Sequence, residues 1–219
     1  LDEFGNQLVV NEDEGIDDVV TLNFFARQDT RDDRIFPTEG SIIGFGIDQG
    51  FVLEEDDAIF TRFSGNYTRL LPIDFFGFDP GPRTLIFNVQ SGLILGDVPP
   101  YEGFNIGGRS SVRGFSGGGV STATAFIQGT VEYRFPILSL TLFEQDIPIR
   151  GALFVDYATD FGTADEVIGE PAEVRDKPGS GLGFGLGLHA QTSFGLGRLE
   201  FAVTDDDSSE LTITVGDRF

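Results

Sequence analysis

Residues 124–135 read TAFIQGTVEYRF. In an extended chain Ile127, Val131, Tyr133 and Phe135 fall on one face, and Gln128, Thr130, Glu132 and Arg134 fall on the other. A strand with one apolar and one polar face separates two environments.

Working outward, the same period-two alternation recurs in nine runs, at about residues 19–28, 41–52, 58–71, 83–95, 124–135, 150–160, 181–191, 197–204 and 210–219. Ile43, Phe45 and Ile47 alternate with Gly44, Gly46 and Asp48. Leu153, Val155 and Tyr157 oppose Phe154 and Asp156. Leu182, Phe184, Leu186 and Leu188 alternate with glycine. Helix signals are weak throughout, so the chain reads as all-β. Periodicity leaves two architectures open. A soluble sandwich buries the apolar faces, whereas a membrane barrel turns them to lipid and lines its lumen with the polar ones. Three features favour the barrel. The runs approach the roughly 9–11 residues that cross a bilayer. Long and short connections alternate, and an alternating run closes on Phe219.

Composition narrows the function. Thirty-six acidic residues against 14 basic ones give a formal charge of -22, which excludes the basic surface that nucleic acid requires. With no cysteine and one histidine, His189, thiolate and multi-histidine metal sites are excluded. No metal or cofactor is expected, and no catalytic constellation stands out. The acid-rich stretches 54–57, 165–173 and 205–207 read as hydrated loops, with calcium at Asp205, Asp206 and Asp207 as a minor alternative. The chain opens on Leu1 and lacks methionine, so it is expected to be part of a longer protein.

Residues 99–136 read PPYEGFNIGGRSSVRGFSGGGVSTATAFIQGTVEYRFP. Gly107, Gly108, Val112, Arg113, Gly114 and Phe115, followed by Glu132, Tyr133, Arg134 and Pro136, resemble the loop-six region of the BamA-type outer-membrane superfamily. Phe154-Val155-Asp156 looks like the family's F-x-D motif, and the ending through Phe219 like its terminal signature. Residues 32–40 and 177–185 resemble the cyanobacterial branch in particular. The resemblance implies a sixteen-stranded transmembrane antiparallel β-barrel. This chain would supply about nine C-terminal strands, a long inward-folding loop over residues 97–123, and none of the periplasmic POTRA repeats typical of the family.

Alternation points Glu132 and Asp156 into the lumen, and the resemblance places Arg113 beside them. A guanidinium pairs with carboxylates through two parallel N–H donors, which lysine cannot do. Val112, Arg113, Gly114 and Phe115 therefore read as an internal latch, with Phe115 expected against Phe154. Leu211, Ile213, Val215, Gly216 and Phe219 form one side of an expected lateral seam, where an incoming strand could pair. Gly216 either weakens pairing there or turns the chain near its end.

By resemblance the function is assembly and insertion of β-barrel proteins into an outer membrane. The implied partners are unfolded barrel clients, outer-membrane lipids, accessory assembly subunits and periplasmic chaperones. The implied location is the outer membrane of a Gram-negative-type bacterium, cyanobacterial by preference, with the chloroplast outer envelope as an alternative. The competing readings are a polypeptide-translocating pore of the two-partner secretion or chloroplast import type, and a passive solute porin.

Overall fold

A computed structural model describes residues 7–11, 15–53, 58–142, 145–192 and 195–219. The acidic stretch 54–57 lies outside the described residues. Each of the nine alternating runs is a strand. They are β1 (Val19–Asp29), β2 (Gly40–Val52), β3 (Ala58–Pro72), β4 (Thr84–Gly96), β7 (Ala125–Leu142), β8 (Gln145–Thr159), β9 (Ser180–Thr192), β10 (Gly195–Thr204) and β11 (Ser209–Val215). Two short strands, β5 (Phe104–Ile106) and β6 (Ser121–Ala123), pair with each other inside the long loop. The nine long strands form one sheet in the order β1-β2-β3-β4-β7-β8-β9-β10-β11, each antiparallel to its neighbour. Such a meander needs only local connections.

The burial pattern decides between sandwich and barrel. On β8, Leu153, Val155 and Tyr157 are exposed, while Ala152, Phe154, Asp156 and Ala158 are buried. On β10, Leu199 and Phe201 are exposed, while Arg198 and Glu200 are buried. On β4, Phe87 and Val89 face out and Asn88 faces in. A water-soluble sheet with this polarity would expose its apolar face and bury its charges. In a bilayer the same arrangement is favourable, because lipid takes the apolar face. The sheet is therefore the wall of a transmembrane β-barrel. No described helix is long and apolar enough to cross a membrane, and the strands do the crossing.

The wall is curled, and its two ends approach at the lower rim. Arg31, in the connection between β1 and β2, donates through Nη1 to the main-chain oxygen of Phe219 at 3.1 Å. Phe36 of the same connection lies under the Arg150 guanidinium, 3.9 Å from Cζ to the ring centroid. On the outer face, the connection between β3 and β4 packs Phe76 against Tyr133 and Phe135, at 5.1 and 4.7 Å between centroids. These two connections, 30–39 and 73–83, are longer than tight turns because each folds back on the wall. The strict alternation of long and short connections does not hold at them.

The last strand is shorter than its pattern predicts. It ends at Val215, and residues 216–219 leave the sheet. Gly216 has φ +109°, a left-handed conformation that turns the chain. Its N–H still donates to the Leu196 carbonyl at 2.7 Å. Phe219 thus does not end a strand. Its ring lies near the guanidinium groups of Arg134 and Arg218, at 5.7 and 5.6 Å.

Candidate functional site

The connection between β4 and β7 enters the concave side of the wall. Its stem is the β5–β6 pair. Arg62 of β3 holds the stem from one side, with Nη2 2.7 Å from Glu102 Oε2 and the guanidinium 5.3 Å from the Phe104 ring. Beyond the stem the backbone closes on itself, Gly108 N donating to Val112 O at 3.1 Å and Gly119 N to Ser116 O at 2.9 Å. Val112, Arg113, Gly114 and Phe115 are all buried. Gly114 has φ +99°, and a Cβ there would stand 2.6 Å from Thr204 Cγ2. Both the conformation and the crowding require glycine.

Arg113 meets carboxylates from three strands. Nε lies 2.7 Å from Asp156 Oδ2 and Nη2 3.0 Å from Asp156 Oδ1, on β8. Nη1 lies 2.8 Å from Glu132 Oε2 on β7 and 2.8 Å from Glu200 Oε1 on β10. The Arg113 main-chain N–H also donates to Asp156 Oδ2, at 3.1 Å. The guanidinium covers the Phe154 ring, with Cζ 3.3 Å from the centroid. One side chain thereby ties the loop to β7, β8 and β10 at once.

A ring of further charges surrounds it. Arg134 Nε is 2.7 Å from Glu132 Oε1, and its Nη2 is 2.9 Å from Asp217 Oδ1. Arg198 Nη1 is 3.2 Å from Glu200 Oε2, and Arg218 Nη1 is 3.2 Å from Asp156 Oδ2. Arg113, Arg134, Arg198 and Arg218 thus face Glu132, Asp156, Glu200 and Asp217, so the cluster is electrically balanced. That balance lets ionised groups persist away from bulk water. His189 is buried beside it, Nε2 3.5 Å from Glu200 Oε1.

Phe115 does not pack on Phe154 as expected. It joins Ile106, Val112, Val120 and Ala158 in an apolar cluster, because the Arg113 guanidinium occupies the Phe154 face. Gly181 makes the room. A Cβ there would lie 2.7 Å from Phe115 Cε2. Gly183 does the same for the backbone, since its Cβ would lie 2.1 Å from the Arg113 carbonyl oxygen. Gly181 and Gly183 of β9 are therefore the seat of the loop.

Glu200 was missed in the sequence, although its signal was present. It alternates with Leu199 and Phe201 on the same inward face as Arg198. Gly183 was read as strand pattern alone. Arg218 carried no signal, because its position depends on the turn at Gly216. Leu211, Ile213 and Val215 lie exposed on the outer face of β11, which pairs with β10. Asp205 and Asp206 shape the turn after β10: Asp205 Oδ1 accepts from Leu182 N at 3.0 Å, and Asp206 Oδ1 from Ser208 N at 3.0 Å. Among the described residues no group of three or more acidic or histidine side chains is arranged to hold a metal ion.

An Arg-bearing loop seated inside a curled wall with lipid-facing strands has relatives. The Omp85 superfamily domain matches residues 3–219. The chain belongs to the Omp85 superfamily. It is 33% identical over 176 residues to the chloroplastic outer envelope protein 80 of Arabidopsis thaliana, covering 80% of this chain and 22% of that protein. It is 29% identical over 207 residues to the chloroplastic protein TOC75 of Pisum sativum, covering 90% of this chain and 24% of that protein. The chain thus spans less than a quarter of the length of either. Its fold is similar to that of BamA from Haemophilus ducreyi lacking POTRA domains 1-3, with a TM-score of 0.65 at 18% identity, over 88% of this chain and 41% of the other. This Omp85 chain is thus similar in fold to that BamA structure and in sequence to chloroplastic proteins of two plants.

Proposed function

We propose that this chain forms the C-terminal wall of an outer-membrane barrel that inserts β-barrel polypeptides into its membrane. The carrying observation is the Arg113 contact with Glu132, Asp156 and Glu200. It braces the part of the wall that leads to β11, which pairs with β10. On this reading β11 is one side of a seam, where an opened edge offers backbone donors and acceptors to an incoming strand, which lipid cannot. The partners on this reading are unfolded barrel clients, membrane lipids, accessory subunits and chaperones. The membrane is of the bacterial outer or chloroplast outer-envelope kind. The envelope alternative gains weight from the chloroplastic relatives.

The test uses the full-length protein. Arg113→Ala and the exchange Arg113→Asp with Asp156→Arg are compared for barrel assembly and for insertion of a labelled barrel client into liposomes. The reading expects lost insertion in the single variant and partial recovery in the exchange. Undiminished client insertion by Arg113→Ala would sink it. A second reading, a pore that passes extended polypeptide, is favoured by the polar concave face. Depletion separates the two. An insertase lowers the folded amount of other outer-membrane barrels, a translocating pore strands soluble polypeptides behind the membrane, and a passive porin does neither.

A further inference from the structure

On the outer face of the wall, two guanidinium groups mark the lower rim. Arg69 of β3 is exposed and stands in register with the outward Phe87. Arg83, just before β4, lies against the connection 73–83, where a Cβ on Gly77 would stand 2.8 Å from its Nε. An arginine at the edge of a lipid-facing surface keeps its charged head in the polar headgroup layer. The level of Arg69 and Arg83 is therefore the lower boundary of the hydrocarbon.

At that level the connection 73–83 adds a second layer to the wall. Ile73 N donates to Arg83 O at 3.1 Å and closes its base, while Phe78 N donates to Pro136 O at 3.0 Å. The Tyr133 hydroxyl donates to the Phe76 carbonyl. Beneath the connection Phe135 stacks on Tyr133, 5.5 Å between centroids. Gly151 leaves the space for it, since a Cβ there would lie 2.4 Å from Phe135 Cζ. Tyr133 and Phe135 are thereby buried, whereas Phe75 and Phe78 of the connection keep 65% and 76% of their surface exposed. The connection hides the aromatic rings of the wall and displays its own. It sits on β4 and β7, both of which are paired on either side, so the patch lies well inside the sheet.

We propose that the connection 73–83 is a lateral anchor, which inserts Phe75 and Phe78 into the headgroup–acyl boundary of the lower leaflet beside the barrel. The occupant of the patch is lipid because the patch continues a lipid-facing surface. Directly above it the outer face opens into an apolar hollow of about 490 Å³, lined by Val131, Tyr133, Leu153, Phe184, Leu186 and Phe201. Tyr133 belongs to both. The depth follows from charge. Asp74 and Asp79 flank the rings, and carboxylates do not enter hydrocarbon at low cost. Phenylalanines between such residues suit the interface, where apolar groups sink a few ångströms and charges stay wet. Strand aromatics alone would make an ordinary belt. Here a connection laid over them carries two further rings outward into the leaflet. The anchor is independent of which polypeptides the barrel handles.

The test uses the full-length protein in phosphatidylcholine vesicles. Residues 1–219 contain no tryptophan, so Phe78→Trp adds one indole to them, read as the difference from the parent. Phe201→Trp, on the exposed outer face of β10, is the reference for hydrocarbon. Both changes replace one exposed ring by another. Lipids brominated near the headgroup are expected to quench the residue 78 signal about two-fold more than lipids brominated at the chain end. The order should reverse at residue 201. Quenching at residue 78 by aqueous acrylamide and not by brominated lipid shows a wet connection and overturns the anchor. Protection from both quenchers overturns it as well, and assigns the patch to a protein contact. Strongest quenching by the chain-end bromines places the rings in the hydrocarbon and overturns the interfacial position.

Discussion

Arg113 and Asp156, 43 positions apart in sequence, make a two-point contact: Nε to Oδ2 at 2.7 Å and Nη2 to Oδ1 at 3.0 Å. Both side chains are almost wholly buried. The fork geometry fixes the angle at which the loop meets the wall as well as the attraction between them.

Removing the guanidinium leaves Glu132, Asp156 and Glu200 facing one another. Arg113→Ala is expected to destabilise the wall by about 3–5 kcal/mol, the usual cost of stripping one partner from a buried charge cluster. Arg113→Lys should recover only part of this, because an ammonium cannot bond two oxygens in parallel. Urea unfolding of the detergent-solubilised full-length protein measures both. Equal stability of the lysine variant and the parent would refute the bidentate argument.

Phe154 lies flat beneath that guanidinium, 3.3 Å from Cζ. Phe154→Leu keeps an apolar side chain and removes the ring face. The expected loss is about 2 kcal/mol, the range of a desolvated cation–π contact. Coupling to Arg113 is read from a double-mutant cycle with Arg113→Ala, in which a coupling near zero would argue against the contact.

Gly183 tests the seat of the loop. A methyl group there would stand 2.1 Å from the Arg113 carbonyl oxygen, a backbone atom that cannot step aside. Gly183→Ala should lift the loop and expose Arg113 to trypsin, which cannot reach it in the parent. Gly65→Ala is the control, since its methyl would find Ser91 Oγ at a comfortable 3.8 Å. Trypsin resistance of Gly183→Ala equal to that of the control would show that the loop tolerates the crowding.

Gly216 turns the tail inward at φ +109°. A β-branched residue is strained in that region, so Gly216→Val should straighten residues 216–219 and withdraw Arg218 from Asp156. The chain contains no cysteine, which allows clean spin-labelling at introduced cysteines. The distance between labels at residues 110 and 219 is expected to lengthen, and an unchanged distance would count against the turn as its cause.

Asp32 links the β1–β2 connection to pH. Burial would raise its pKa, but Thr38, through its hydroxyl and N–H, and the N–H of Glu39 outweigh that and lower it from the ordinary 3.8 to about 2. A carboxyl with a lowered folded pKa contributes stability above its unfolded value and loses it as pH falls through the folded one. The connection should therefore loosen between about pH 4 and pH 2, and Asp32→Asn should remove that pH dependence. Hydrogen exchange of the Thr38 and Glu39 amides across this range reads it directly, and exchange that is flat with pH in the parent would overturn it.

Much of this protein was legible before any coordinates. Period-two alternation located all nine strands and the two faces along most of their length, because a strand's side chains can only point two ways, though β7 and β8 extend beyond their runs and β11 stops at Val215, short of Phe219. It placed Glu132 and Asp156 on the face opposite Val131 and Val155. It could equally have placed Glu200, opposite Leu199 and Phe201. Alternation alone does not give its sense, because lipid-facing and core-facing strands share one pattern; strand length and the family resemblance pointed the apolar faces outward.

What the sequence alone determined was the local frame: strand count, strand faces, and a glycine-rich loop carrying Arg113. The tertiary structure decided which partners meet. Glu132, Asp156 and Glu200 converge on Arg113 only because a curled sheet brings β7, β8 and β10 around one loop. Gly183 became a seat because that loop's backbone arrives above it. Arg218 reached Asp156 because a single residue, Gly216, turned the chain out of the sheet. Local alternation is set by backbone geometry along the strand. These contacts are set by curvature and close approach between segments far apart in the chain, which no short window of residues encodes.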